Sequence, residues 1–219
     1  MPNVLLGVTG SVAAVRTLAL HDLLRQRGFD VKIVATKAAT YFFDPASIGS
    51  VVILDQNEWP KPRYERDAPV LHIELRRWAD LLLIAPLDAN TLAKLVNGLS
   101  DNCLTCVWRA WDPARPVVLA PAMNTLMWQH PLTRRHLRQL AADAGAAHIP
   151  GHLDEACIVD LINERCTKLH IVPPQIKELA CGDIGIGAMA AIEAIASAVV
   201  DKLAAKSGRK KWNADDADS

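Results

Sequence analysis

Two side chains in this 219-residue sequence are candidates for moving protons. His72 lies in Pro69-Val-Leu-His-Ile-Glu-Leu-Arg-Arg-Trp78. Imidazole exchanges protons near neutral pH, so His72 is a general base if it faces a cleft and a satisfied core or capping histidine if it does not. Cys181 lies in Ala180-Cys-Gly-Asp-Ile-Gly-Ile-Gly-Ala-Met-Ala190. The three glycines of that stretch make a poor core and a good flap, and an exposed thiol on a flap is a candidate proton donor or nucleophile.

Four polar segments accompany them. In Gly7-Val-Thr-Gly-Ser-Val12, the residues Gly10, Ser11 and Val12 offer backbone N–H groups and a hydroxyl where a helix begins, a place suited to phosphate. The segment has neither G-x-G-x-x-G nor a Walker lysine, so a plain turn accounts for it equally well. Thr36 and Lys37 follow the next strand-like run; Asp88, Ala89, Asn90 and Thr91 follow another; Pro121-Ala-Met-Asn124, with Ala122 and Asn124, follows a further one. Caps and turns use these residue types, so each segment alone reads as structural. Four of them at one sheet edge describe a polar cleft for a phosphorylated, planar ligand. Arg76 and Arg77 read as surface charges. Cys103-Leu-Thr-Cys106 has no second pair at zinc spacing, and Cys157 and Cys166 have only scattered histidines nearby (His148, His152, His170), so no metal site is expected.

Positioning these residues requires alternating strands and helices. Residues 3–9 form a continuous apolar run of strand length, as in a parallel sheet covered on both faces. Val12, Val15, Leu18, Ala19 and Leu23 recur at helical spacing, and Gly28 is placed to end that helix. Residues 29–35, 51–54, 81–85 and 117–120 read as further strands, and 89–96, 125–129, 132–144 and 188–205 as helices. Residues 55–69, with three prolines and many charges, read as a surface loop. The rhythm specifies one α/β domain over residues 1–205, a three-layer α/β/α Rossmann-like arrangement with a mainly parallel sheet. Residues 206–219 read as a polar tail. Residues 147–150 and 169–173 look like two strand-to-proline endings with helix-compatible sequence between them. Residues 151–170 are therefore either an extra helix–strand unit or an inserted excursion.

Composition excludes more than it identifies. Acids and bases balance at 24 each, with 51% hydrophobic and 5% aromatic residues. Zero formal charge argues against general nucleic-acid or membrane-surface binding and leaves self-association unopposed. No apolar run reaches the ~20 residues that span a bilayer, and the first residues lack a basic signal-peptide region. Five cysteines without a short secreted framework point to reduced thiols in the cytoplasm.

Gly7-Val-Thr-Gly-Ser-Val-Ala-Ala14, Leu71-His-Ile-Glu-Leu-Arg-Arg-Trp-Ala-Asp80, Ala85-Pro-Leu-Asp-Ala-Asn-Thr-Leu-Ala-Lys94, Pro121-Ala-Met-Asn-Thr-Leu-Met-Trp128 and Ala180-Cys-Gly-Asp183 with Gly187-Ala-Met-Ala190 resemble the flavin-containing cysteine decarboxylases. The resemblance runs from residue 3 to about 200 and is strongest to the branch acting on 4′-phosphopantothenoylcysteine in coenzyme A biosynthesis. It implies an FMN-binding enzyme, assembled as a homotrimer with active sites between subunits. Gly10, Ser11, Val12, Thr36 and Lys37 would then hold the FMN phosphate side, and Asp88, Ala89, Asn90, Thr91 and Ala122 the rest of the flavin. Asn124 would hold the substrate carboxylate, with Leu179 and Ala180 also on the substrate; His72 would be the base and Cys181 the acid. The implied chemistry is oxidation of the thiol-bearing carbon to a thioaldehyde, loss of CO2, and re-reduction of the ene-thiol.

The sequence departs from the family where Ala191-Ile192 follows Ala190, at Ser100, and in the length of residues 151–170. Two other branches remain open by resemblance. One is a regulatory flavoprotein inhibiting protein phosphatases, whose members carry long acidic tails that this chain lacks. The other comprises peptide-cysteine decarboxylases.

Overall fold

The computed structural model describes residues 1–63, 65–66, 69–146, 149–178 and 184–210. Strand β1 (Asn3–Val8) is followed by a 3-10 turn (Val12–Arg16) and helix α1 (Thr17–Gln26). Then come β2 (Asp30–Ala35), β3 (Val52–Ile53), α2 (Asp55–Glu58), α3 (Leu71–Trp78), β4 (Leu81–Leu87), α4 (Ala89–Asn97) and α5 (Cys103–Arg109). The second half carries β5 (Val117–Pro121), α6 (Thr125–Trp128), α7 (Pro131–Asp143), α8 (Glu155–Arg165), β6 (Leu169–Ile171), β7 (Gln175–Glu178), β8 (Ile184–Ala188) and α9 (Ile192–Lys210).

Six strands form one parallel sheet in the order β3-β2-β1-β4-β5-β6, so connections leave β1 in opposite directions and create a crevice beside its carboxyl end. All seven residues of β4 are buried, as a central strand covered on both faces demands. Its side chains alternate between two cores. Leu82 and Ile84 join Leu75, Leu92, Leu95, Leu104, Leu137 and Ile158 beneath α3, α4, α5, α7 and α8. Leu81, Leu83 and Ala85 join Leu20, Leu24, Ile195 and Val199 beneath α1 and α9. The expected three-layer arrangement is the observed one.

Four local readings change. Residues 55–58, expected within a loop, make the short helix α2, with Leu54 N–H donating to Asn57 Oδ1 at 2.8 Å. One turn has no apolar period to display, so the sequence conceals it. The helix-compatible stretch within residues 151–170 is α8, and it leads into β6, the outer strand beside β5. Arg134 bonds Glu155, Arg138 donates to the Gly151 and Leu153 carbonyls, and Asn163 pairs with the backbone N–H and C=O of Ile171 at 2.8 Å each. That amide covers the open ladder of an edge strand. Residues 149–150 are not in a strand, and 147–148 lie outside the described residues. Finally, α9 continues to Lys210, five residues into the expected polar tail, because an Ala-rich run ending in basic residues suits a helix carboxyl terminus.

Burial holds the imidazoles of His136 on α7 and His170 on β6 below the usual histidine range, with Arg135 adding to the effect on His136 and Lys202 to that on His170. Both stay neutral in the folded chain at pH values where the unfolded chain binds protons, so stability rises with pH through that window. The urea midpoint is therefore expected to fall as pH drops below about 6.5. In His170→Gln the fall should be smaller, which denaturation curves at pH 7.5 and 5.5 measure.

Candidate functional site

The four polar strand-end loops and the amino end of α3, with His72, lie at or beyond the carboxyl edge of the sheet. The loop after β1 meets the loops after β2 and β4 at Gly10. A Cβ there would come 2.6 Å from the Ala38 Cβ and 3.3 Å from Asp88 Oδ2, so this contact of three loops requires glycine. Ser11 caps the 3-10 turn, its hydroxyl accepting from Ala13 N–H at 3.4 Å; Val12 is exposed beside it. Thr36 is buried, extends the ladder through N–H donation to Val8 O at 3.0 Å, and leaves Lys37 exposed as the cation of this corner.

The loop after β4 is fixed by a side chain that sequence reasoning passed over. Thr9 is fully buried; its hydroxyl donates to Pro86 O and accepts from Asp88 N–H, both at 2.8 Å. Asp88 is the N-cap of α4, its Oδ1 accepting from Thr91 N–H at 2.7 Å, while its Oδ2 lies beside Gly10. Ala89 is half-buried and Asn90 exposed, whereas Thr91 is buried at 2% exposure and contributes to the floor. Ala122 is buried too, and its N–H donates to Leu87 O at 2.9 Å, linking the β4 and β5 loops.

Asn124 caps α6, its Oδ1 accepting from Leu126 N–H at 2.9 Å, a bond that orients the amide nitrogen as a donor. The glycine-rich stretch expected to be a flap is β8, paired antiparallel with β7 as a hairpin leaving the carboxyl end of β6. Gly187 has φ +141°, and its carbonyl accepts from Met123 N–H at 2.9 Å, fastening the hairpin to the Asn124 loop. A Cβ at Gly185 would strike the Thr125 hydroxyl, which is buried without a hydrogen-bond partner among the described residues. Leu179, Ala180 and Cys181 fall between β7 and β8 in sequence and lie outside the described residues.

His72 is in the first turn of α3. Because α3 precedes β4 and runs back across the sheet, its amino end lies at the carboxyl edge, with the loops. Glu58 of α2 accepts from His72 N–H at 2.9 Å, and its other oxygen lies 2.5 Å from Nδ1. Asp55, one turn earlier, accepts from Lys37 N–H at 3.4 Å and from Cys103 N–H at 3.2 Å. One short helix thus connects the phosphate corner to the imidazole. Neither carboxylate was legible as functional: Glu58 is fourteen residues from its partner, in a charged segment without periodicity. Arg76 reaches the Ala110 carbonyl at 2.9 Å, a structural role in keeping with its reading.

Cys103 and Cys166 are buried and Cys106 half-buried, and burial pushes their thiols above the usual range. Among the described residues no group of three His, Cys, Asp or Glu side chains is placed to hold a metal ion. A separate cleft of about 490 Å³, walled by Trp108, Trp111 and Lys168, opens at the opposite sheet edge and contains none of the predicted site residues.

The loop at Gly10 offers the Ser11 hydroxyl and the start of a 3-10 turn, with Lys37 exposed on the neighbouring loop and Asp88 Oδ2 beside Gly10. Small or buried residues at Gly10, Ala89, Thr91 and Ala122 leave a floor without bulky side chains.

Comparison with known proteins agrees with this geometry. The family model Flavoprotein matches residues 1–204. Phosphopantothenoylcysteine decarboxylase of Mus musculus is 44% identical over 198 residues, covering 90% of this chain and 85% of its own. A solved cysteine-to-serine mutant of PPC decarboxylase, complexed with pantothenoylaminoethenethiol, superposes with TM-score 0.75 at 42% identity, covering 93% of this chain and 98% of that one. The FMN binding protein AtHal3 gives TM-score 0.73 at 43% identity over 93% and 97% of the two chains.

Thr9 gives the site a direct test of its internal bracing. Thr9→Val keeps the shape but removes the hydroxyl between a buried carbonyl and a buried N–H. The unfolding free energy should fall by about 1–3 kcal/mol, measured by urea denaturation.

Proposed function

The chain belongs to the Flavoprotein family, and from that premise we propose that it catalyses FMN-dependent decarboxylation of 4′-phosphopantothenoylcysteine to 4′-phosphopantetheine in coenzyme A biosynthesis. The observation that carries the reading is the match to decarboxylases over nine-tenths of the chain; His72, Asn124 and Cys181 stand in the motifs that carry the resemblance.

A cysteine carboxylate sits on a carbon with no adjacent electron sink, so direct loss of CO2 would leave an unstabilised carbanion. When bound, FMN would supply the missing sink as a reversible two-electron oxidation of the thiol-bearing carbon, which puts C=S β to the carboxylate. Ser11 and Lys37 would hold its phosphate, with Gly10 and Val12 at the same helix amino terminus and Thr36 beneath. Asp88, Ala89, Asn90, Thr91 and Ala122 would shape the surface under the rest of it.

The chain's own residues then divide the proton work. The amide nitrogen of Asn124 donates to the substrate carboxylate and holds it against the strand ends. His72 accepts a proton in the oxidative stage. Cys181, on the segment joining the two hairpin strands, donates one in the reductive stage, with Leu179 and Ala180 against the substrate. The bond from Met123 N–H to the Gly187 carbonyl ties β8 to the Asn124 loop.

Assembly as a homotrimer with sites between subunits follows from the same reading. Its support in this chain is the exposed apolar series Val12, Val15 and Leu18 at three-residue spacing, with Tyr41 at 86% exposure nearby in sequence to the Thr36–Lys37 corner. No described helix is long and apolar enough to cross a membrane; a cytoplasmic site of action fits a reduced thiol as proton donor.

Incubating the yellow protein with 4′-phosphopantothenoylcysteine should yield CO2 and 4′-phosphopantetheine; absence of product with FMN intact would sink the assignment. The two proton roles are separable. His72→Asn should stop CO2 release, a loss of about 10²-fold or more, while FMN absorbance is retained. Cys181→Ser should release CO2 and accumulate the oxidised ene-thiol, seen by mass spectrometry.

A further inference from the structure

Glu58 spends both carboxylate oxygens on a single residue. Oε2 accepts from the His72 backbone N–H at 2.9 Å, and Oε1 lies 2.5 Å from the imidazole Nδ1. The Glu58 side chain is 4% exposed and that of His72 23%. The Cys103 thiol, from the first turn of α5, is pushed up by burial and then by the charge of the same carboxylate. A buried carboxylate surrounded by donors remains an acceptor, so the ring must present N–H at Nδ1 and carry its lone pair on Nε2. The backbone bond fixes Glu58 relative to α3, and the ring bond fixes the imidazole relative to Glu58.

We propose that Glu58 is a positioning residue for the decarboxylation, holding His72 in one ring orientation and in the Nδ1–H tautomer so that Nε2 is the proton acceptor facing the substrate. This rests on the reading of His72 as the base. A base whose other ring nitrogen is held by a buried carboxylate meets both requirements of proton transfer, a lone pair on the correct atom and a fixed direction. His72 alone meets neither: an unheld imidazole populates both tautomers and rotates.

Glu58→Gln separates orientation from tautomer. The amide has one acceptor oxygen, and the fixed backbone N–H of His72 takes it. The NH2 group then faces Nδ1, which can only accept, and the ring proton moves to Nε2. Side-chain size and the cap on α3 are preserved while the base is lost.

The experiment uses the FMN-loaded protein with 15N-labelled histidine. In the wild type the His72 ring should show a protonated Nδ1 and an unprotonated Nε2; in E58Q the two should exchange. CO2 release by E58Q should fall by about 10²-fold or more, the range of a lost general base, with FMN content and KM little changed. Adding E58Q to H72N should cost almost nothing further, because the two act as one unit. The proposal is overturned if the wild-type ring carries its proton on Nε2, if E58Q keeps CO2 release within about threefold of wild type (under about 1 kcal/mol), or if E58Q lowers H72N by the same factor as it lowers the wild type. The wild-type spectrum needs no variant, so instability of E58Q does not shelter the idea. Normal CO2 release by H72N defeats the base reading and the catalytic half of the proposal with it, while the ring spectrum still judges whether Glu58 holds Nδ1–H.

Discussion

A helix amino terminus leaves backbone N–H groups with no partner inside the helix, and in this protein two such termini are closed by carboxylates from a single turn. Glu58 closes α3 at His72 and Asp55 closes α5 at Cys103. Val70, the residue before α3, offers no side-chain cap, so Glu58 supplies from outside what the helix's own sequence lacks. Negative charge at both termini is also favoured by the helix dipoles. The remaining oxygen of each carboxylate reaches a functional group: Asp55 the Lys37 backbone, Glu58 the His72 ring. The same turn therefore stabilises two helices and fixes the distance between the phosphate corner and the imidazole.

That economy depends on where the turn sits. It follows β3 at the sheet's outer end, so α2 projects beyond the carboxyl edge, and the chain then returns through α3 to β4 at the centre. The order β3-β2-β1-β4-β5-β6 places the crevice between β1 and β4, and the loops from those strands close on each other through Thr9 and Gly10. Across the crevice, the β5 loop is joined to the β4 loop by Ala122 and to the hairpin by Met123. The site is a sequence of backbone-anchored loops in which each is bonded to the next.

The parts of this design that were legible in sequence are those written in periodicity or in consecutive residues. The buried run of β4 and the four polar strand-end segments are local signals, and each lies where the pattern placed it; the apolar spacing read for α1 does not, because Val12, Val15 and Leu18 are exposed while Ala14, Thr17, Leu20 and Leu24 take the buried face. Residues 151–170 were ambiguous because their helix is anchored by long-range bonds, Arg134 to Glu155 and Asn163 to Ile171, that no window of sequence displays. Glu58 was illegible for the same reason in a sharper form. Its helix has four residues, its partner is fourteen residues away, and its neighbours include prolines and charges that signal a loop. Asp88 shows the converse: one of its oxygens makes the cap that its position before a helix already suggested, while the other lies beside Gly10.

The C-x-x-C sequence acquires a physical explanation from the same turn. Cys103 begins α5 with its N–H on Asp55 and its thiol against Glu58. Burial, and then the Glu58 charge, push that thiol upward, so it remains protonated, a donor with little nucleophilic or metal-binding character. Cys106, one turn on, donates to the Ser100 carbonyl and is pushed upward by burial as well. The two thiols of the C-x-x-C are thereby kept protonated, Cys103 by burial and by the same carboxylate that bonds the His72 backbone and ring.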